Sequence, residues 1–167
     1  FMDFTTDCAL LVGKIIAEDE NALIPHELMD SVFECCNKVA RDFHLVFLRW
    51  STNSFRLISE PIHTSREKLS SKEMLIKIAD SALQINKCIE KYNDENYDQQ
   101  EMMYENAAGI AYGSAFLRKN TKSKEICDIE GQVFDISAEL CAESTFLGGV
   151  RCNEDIYEQL QLTNSLI

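Results

Sequence analysis

The side chains of this 167-residue chain that could do chemistry are three histidines, seven cysteines and 28 carboxylates, and their spacing decides what they can do. Glu60-Pro-Ile-His63 is the one Glu-x-x-His, but its internal proline keeps it from presenting two ligands on a helix face, as a di-metal bundle requires. Cys35 and Cys36 would point about 100° apart on a helix, a poor chelate for zinc. Asp94, Asn96, Asp98 and Glu105 fall at positions 1, 3, 5 and 12 of a calcium loop. Gln99, however, stands where that loop needs glycine, and Glu101 where it needs an apolar residue. No metal and no cofactor is expected. His26, His44 and His63 read as structural or exposed, and no nucleophile elbow or glycine-rich phosphate loop is present. Nothing in these spacings argues for an enzyme.

The charge carries more information. Sixteen basic residues against 28 acidic ones leave the chain at −12, with a pI near 4.6. Phosphate backbones and anionic lipid surfaces are repelled by such a balance, so neither nucleic acid nor membrane is an expected partner. Glu125, Asp128, Asp135 and Glu139 are offset by 3, 7 and 4 residues, which on a helix is one row, and Glu143 extends it. Like charges stacked in this way repel, and a basic protein would relieve the repulsion. The acidic stretch Asp94, Asp98, Glu101 and Glu105 is a second candidate patch.

Elements must hold these residues in place. Apolar residues recur at three- and four-residue steps through most of the chain, which predicts helices with one buried stripe. Helices are expected over about 6–19, from Pro25 to near Trp50, over 70–93, from Asn96 through the small-residue run Ala107–Ala115, over 123–144 and over 153–162. Ser70 and Glu73 have the spacing of a capping box opening the third of these. A competing reading makes residues 44–59 a β-hairpin, giving an α+β chain. Gly109 and Gly113 predict a close helix-helix approach or a ligand cleft.

The seven cysteines, odd in number and without a Cys-x-x-Cys pair, read as reduced thiols in a cytoplasmic protein. No run of apolar residues is long enough to span a membrane. The expected architecture is thus all-α: residues 1–167 as a single helical domain, a bundle of five to six helices whose acidic row binds and neutralises a basic protein, as an inhibitor or immunity protein does. Two other functions fit the same sequence. One is a small-molecule sensor or carrier with an inter-helix pocket near Trp50, Met102, Met103, Gly109, Gly113 and Phe116. The other is an adaptor subunit assembling through the small-residue helix. Oligomeric state is not legible.

Overall fold

A computed structural model describes residues 1–61, 68–96, 102–143 and 149–161. The all-α expectation is corrected: the chain is α+β, and its described residues form a six-stranded sheet with four helices. In chain order the elements are β1 (Met2–Ala17), α1 (His26–Phe43), β2 (Val46–Arg49), β3 (Ser54–Ser59), α2 (Ser71–Asn96), β4 (Tyr104–Lys119), β5 (Ile126–Glu130), α3 (Gln132–Glu143), β6 (Val150–Cys152) and α4 (Glu154–Gln161). The sheet runs β2-β3-β1-β4-β5, and β6 pairs in parallel with the first half of β4.

Three expected helices are strands for identifiable reasons. In β1, Cys8 to Val12 are all buried, because β1 lies between β3 and β4 with both faces covered. Burial on both faces erases the period of two, and a continuous apolar run then imitates a helix. In β4 the residues at 107, 109, 111, 113 and 115 are Ala, Gly, Ala, Gly and Ala, while Ile110 and Tyr112 turn to the other side. That is a period-two pattern written in small residues, whose helix-favouring alanines hide it. The helix expected over 123–144 is broken by Gly131, at φ 114°, where only glycine sits without strain. Before it lies β5 and after it α3. The helix expected to reach Trp50 stops at Phe43, with His44 in the left-handed region as its C-cap, and β2 and β3 form the hairpin held as the alternative.

Three helices form where the sequence puts them, α1, α2 and α4, the last over Glu154–Gln161. On α1, Leu28, Met29, Val32, Phe33, Cys36 and Val39 make the buried stripe. At the start of α2, Ser70 Oγ accepts from Glu73 N at 3.1 Å and Glu73 Oε2 accepts from Ser70 N at 3.0 Å, a reciprocal cap. At its end, Asn93 donates to Tyr104 O at 2.8 Å and accepts from Tyr104 N at 3.1 Å, fixing where β4 begins.

The sheet is covered unequally. α1, α2 and α4 pack on one face, over Leu11, Ile15, Phe55, Leu57 and Ile110. On the other face lie Cys8, Leu10, Val12, Ile58, Ala111 and Leu117, with α3 as the helix that covers them.

Burial raises the carboxyls of Glu60, Asp80 and Glu105 above their ordinary values. A carboxyl raised in this way binds its proton more readily folded than unfolded, so its stabilisation is present below the unfolded value and lost as pH rises through the raised one. Self-repulsion at −12 acts in the same direction. The unfolding midpoint is therefore expected to be higher at pH 5 than at pH 8, and a midpoint rising with pH across that window would contradict the assignment.

Candidate functional site

The α3-covered face carries a buried cation, Arg56, and an exposed one, Lys14. Arg56 on β3 pairs across from Val12 on one side and Leu48 on the other, while Lys14 stands diagonally from it on β1. Alternation puts both on the face that α3 covers. Arg56 is only 5% exposed. Its guanidinium lies 3.7 Å from the centroid of the Trp50 ring and 4.7 Å from that of Phe134, on α3. Its Nε and Nη1 are buried without a hydrogen-bond partner. Burial depresses its pKa to about 10, opposed by the charges of Asp128 and Cys141, so it remains a cation at neutral pH. Lys14 and Arg56 both lie near enough to Cys141 to counteract the upward push that burial gives its thiol.

α3 is seated so closely that its polar groups enter the sheet. Ser137 is fully buried, and its hydroxyl donates to Gly109 O at 2.6 Å and accepts from Val12 N at 3.1 Å, bridging β1 and β4. One turn on, the Cys141 thiol donates to Ala107 O at 3.2 Å. A Cβ on Gly109 would stand 2.2 Å from Ser137 O, which is why this position is glycine. The close approach expected at Gly109 is real, but between strand and helix. Beside this seat the face stays partly open: Trp50 is 52% exposed, and Val46, Leu48, Phe134 and Ile136 are half-buried.

The fold is shared with solved structures. The chain superposes on the adenylyl cyclase CyaB from P. aeruginosa with a TM-score of 0.72 at 12% identity, covering 96% of this chain and 83% of that one. The catalytic core of a rhodopsin-guanylyl cyclase with converted specificity, in complex with ATPαS, matches with a TM-score of 0.66 at 9% identity, over 95% and 84%. A dimeric guanylyl cyclase domain of the RhoGC fusion protein from the aquatic fungus Blastocladiella emersonii matches at 0.62 and 8%, over 97% and 86%. The chain has the nucleotide cyclase fold. No protein-family profile matches it, and no curated protein matches it in sequence.

A cyclase-type fold overturns the inhibitor or immunity reading, which rested on a helical bundle the chain does not form, and with it the expectation of a non-enzyme. The acidic row is also divided. Glu125 lies in the turn before β5 and half-buried Asp128 on it, whereas Asp135, Glu139 and Glu143 are exposed along α3. Of the second patch, Asp94 is exposed near the end of α2 and Glu105 is half-buried on β4, while Asp98 and Glu101 lie outside the described residues, as does His63. The pocket expected between helices does not form: Trp50 is on the hairpin, Gly109 is under α3, Phe116 is 59% exposed, and Met102 packs with the three-helix core. No helix among the described residues is long and apolar enough to cross a membrane.

Phosphoryl chemistry on nucleoside triphosphates relies on divalent cations that bridge phosphate oxygens and are held by carboxylates. Among the described residues no three His, Cys, Asp or Glu side chains cluster so as to hold a metal ion. The described residues therefore do not fit such a centre, and no step is derived through one. Sequence reasoning missed Arg56 and Lys14 altogether. Their signal was a single cation set in an apolar stretch, Leu11-Val-Gly-Lys-Ile-Ile16 and Phe55-Arg-Leu-Ile58.

Proposed function

We propose that this chain is a nucleotide-cyclase-type domain that takes a nucleoside triphosphate on the α3-covered face, with Arg56 and Lys14 receiving the phosphates. The observation that carries this reading is Arg56, a buried guanidinium with two donor nitrogens unsatisfied. Leaving buried donors unpaired costs about 1–3 kcal/mol each, and an anion carrying acceptor oxygens removes that cost. In a strongly acidic chain, two cations at diagonal positions on one sheet face are an attraction for such an anion. In a cyclisation, a ribose hydroxyl attacks the α-phosphorus and pyrophosphate leaves. Arg56 would hold the charge gathering on the phosphate oxygens, and Trp50, stacked on it and half exposed, would swing aside to admit them.

The half-exposed side chains of Val46, Leu48, Phe134 and Ile136 suit a second domain of the same fold docked across this face, contributing the carboxylates that the described residues lack. One of the matched structures is itself described as dimeric. Seven free thiols suit a reducing, cytoplasmic setting.

The test is the thermal midpoint with millimolar ATP, GTP and ATPαS, for the wild type and Arg56→Met. A ligand present at about 100 times its Kd stabilises the folded form by ~2.7 kcal/mol, a rise of several degrees at this size. The wild type is expected to rise with at least one nucleotide and Arg56→Met with none. Equal responses, or none from the wild type, would remove the proposal.

A further inference from the structure

On the opposite side of the sheet, α1 and α2 pack side by side, and a thiol from each enters their seam. Cys35 Sγ lies 3.8 Å from Gln84 O on α2, and Cys88 Sγ lies 3.6 Å from Ser31 O on α1. Each sulfur thus sits against the carbonyl one turn before the other cysteine, an arrangement that brings the two thiols together. Both are half-buried, in contrast to Cys8, Cys36 and Cys141, which are buried. They open into a groove of about 500 Å³ lined by Lys38, Arg41, Lys87 and Lys91 as well as by Glu34 and Glu95, the latter paired with Lys91.

The pair is also asymmetric. The neighbouring Cys35 thiol brings Cys88 down to about 7, helped by Lys91 and opposed by burial and Glu34, while the neighbouring Cys88 and burial push Cys35 up. Cys88 is therefore the more readily ionised of the two and Cys35 the one that holds its proton, the division of labour between an attacking and a resolving thiol.

We propose that Cys88 and Cys35 form a hydroperoxide-reactive pair that closes to a disulfide and pins α1 to α2. The Cys88 thiolate attacks the terminal peroxide oxygen. An S–O bond forms and the O–O bond breaks, so the sulfur is oxidised by two electrons to sulfenic acid, and with hydrogen peroxide the departing hydroxide takes a proton from solvent and leaves as water. The Cys35 thiol then attacks the Cys88 sulfur. The S–S bond forms as the S–O bond breaks, and the proton of Cys35 leaves with the hydroxyl as a second water. The site lies across the sheet from Arg56 and does not depend on nucleotide binding.

The experiment treats the full chain with hydrogen peroxide and maps its peptides by mass spectrometry without reduction. The wild type is expected to give a Cys35–Cys88 linked peptide that dithiothreitol removes. Cys35→Ser should instead retain a sulfenic acid on Cys88 that dimedone traps, and Cys88→Ser should give neither product. Closing a loop of this length should raise the wild-type unfolding midpoint by up to roughly 10 °C, with no change in either variant. Oxidation that falls on exposed Cys127 without the linked peptide, or a Cys88→Ser chain whose Cys35 still forms the dimedone adduct, would overturn the assignment.

Discussion

Gly109→Ala is expected to destabilise the fold by about 4 kcal/mol or more, seen as a fall of roughly 10 °C in the unfolding midpoint. The added methyl would stand 2.2 Å from Ser137 O, 2.7 Å from Leu140 Cβ and 2.8 Å from Cys141 N. Two of these three atoms are backbone, so no rotamer change relieves the overlap. Either β4 bends or α3 lifts, and lifting α3 breaks what Ser137 and Cys141 make with the sheet. Ser137 would lose Gly109 O and Val12 N, and Cys141 would lose Ala107 O. Each buried bond left unmade costs about 1–3 kcal/mol, in addition to the strain. Because α3 also carries Phe134 onto Arg56, the same variant should weaken any nucleotide response before the chain unfolds. A midpoint within about 2 °C of the wild type would mean that α3 is not seated on β4 as described.

The same contact explains why part of this fold could be read in the sequence and part could not. α1 and α2 were legible because each is buried on one side, so the period of the apolar residues survives, and because Ser70 and Glu73 mark a start in local chemistry. β1 was not legible because a strand covered on both faces has no alternation to show. β4 misled for a different reason. Its face toward α3 had to be small to admit the helix, and Ala and Gly at alternate positions read as a helix-packing stripe when the spacing is taken as three or four instead of two. The acidic row failed at Gly131: a turn of one residue places Glu125 and Asp128 on one element and Asp135 and Glu139 on another, so offsets that align on a continuous helix align nothing here. Charge counting also looked for function where like charges gather. The better signal was the reverse, a cation alone among apolar residues, because burying Arg56 there is costly.

Arg56→Met is expected to make the nucleotide-free chain more stable, by about 1–2 kcal/mol, while abolishing its response to nucleotide. Three effects set the sign. The guanidinium has been taken out of water with Nε and Nη1 unpartnered, a cost of about 1–3 kcal/mol for each donor that methionine does not incur. Against this, its contacts with half-exposed Trp50 and half-buried Phe134 are lost, worth roughly 0.5–2 kcal/mol each. Methionine recovers part of that loss, since it has a similar reach and its sulfur also favours aromatic neighbours by about 0.3–1.5 kcal/mol. Desolvation therefore wins by a small margin, and the midpoint should rise by several degrees. A residue that lowers the stability of its own fold is retained for something the folded chain does, so a rise coupled to a lost nucleotide response identifies Arg56 as a binding group. If Arg56→Met instead unfolds several degrees below the wild type, the guanidinium serves as a brace between β2, β3 and α3, and the case for a phosphate on this face loses its carrier.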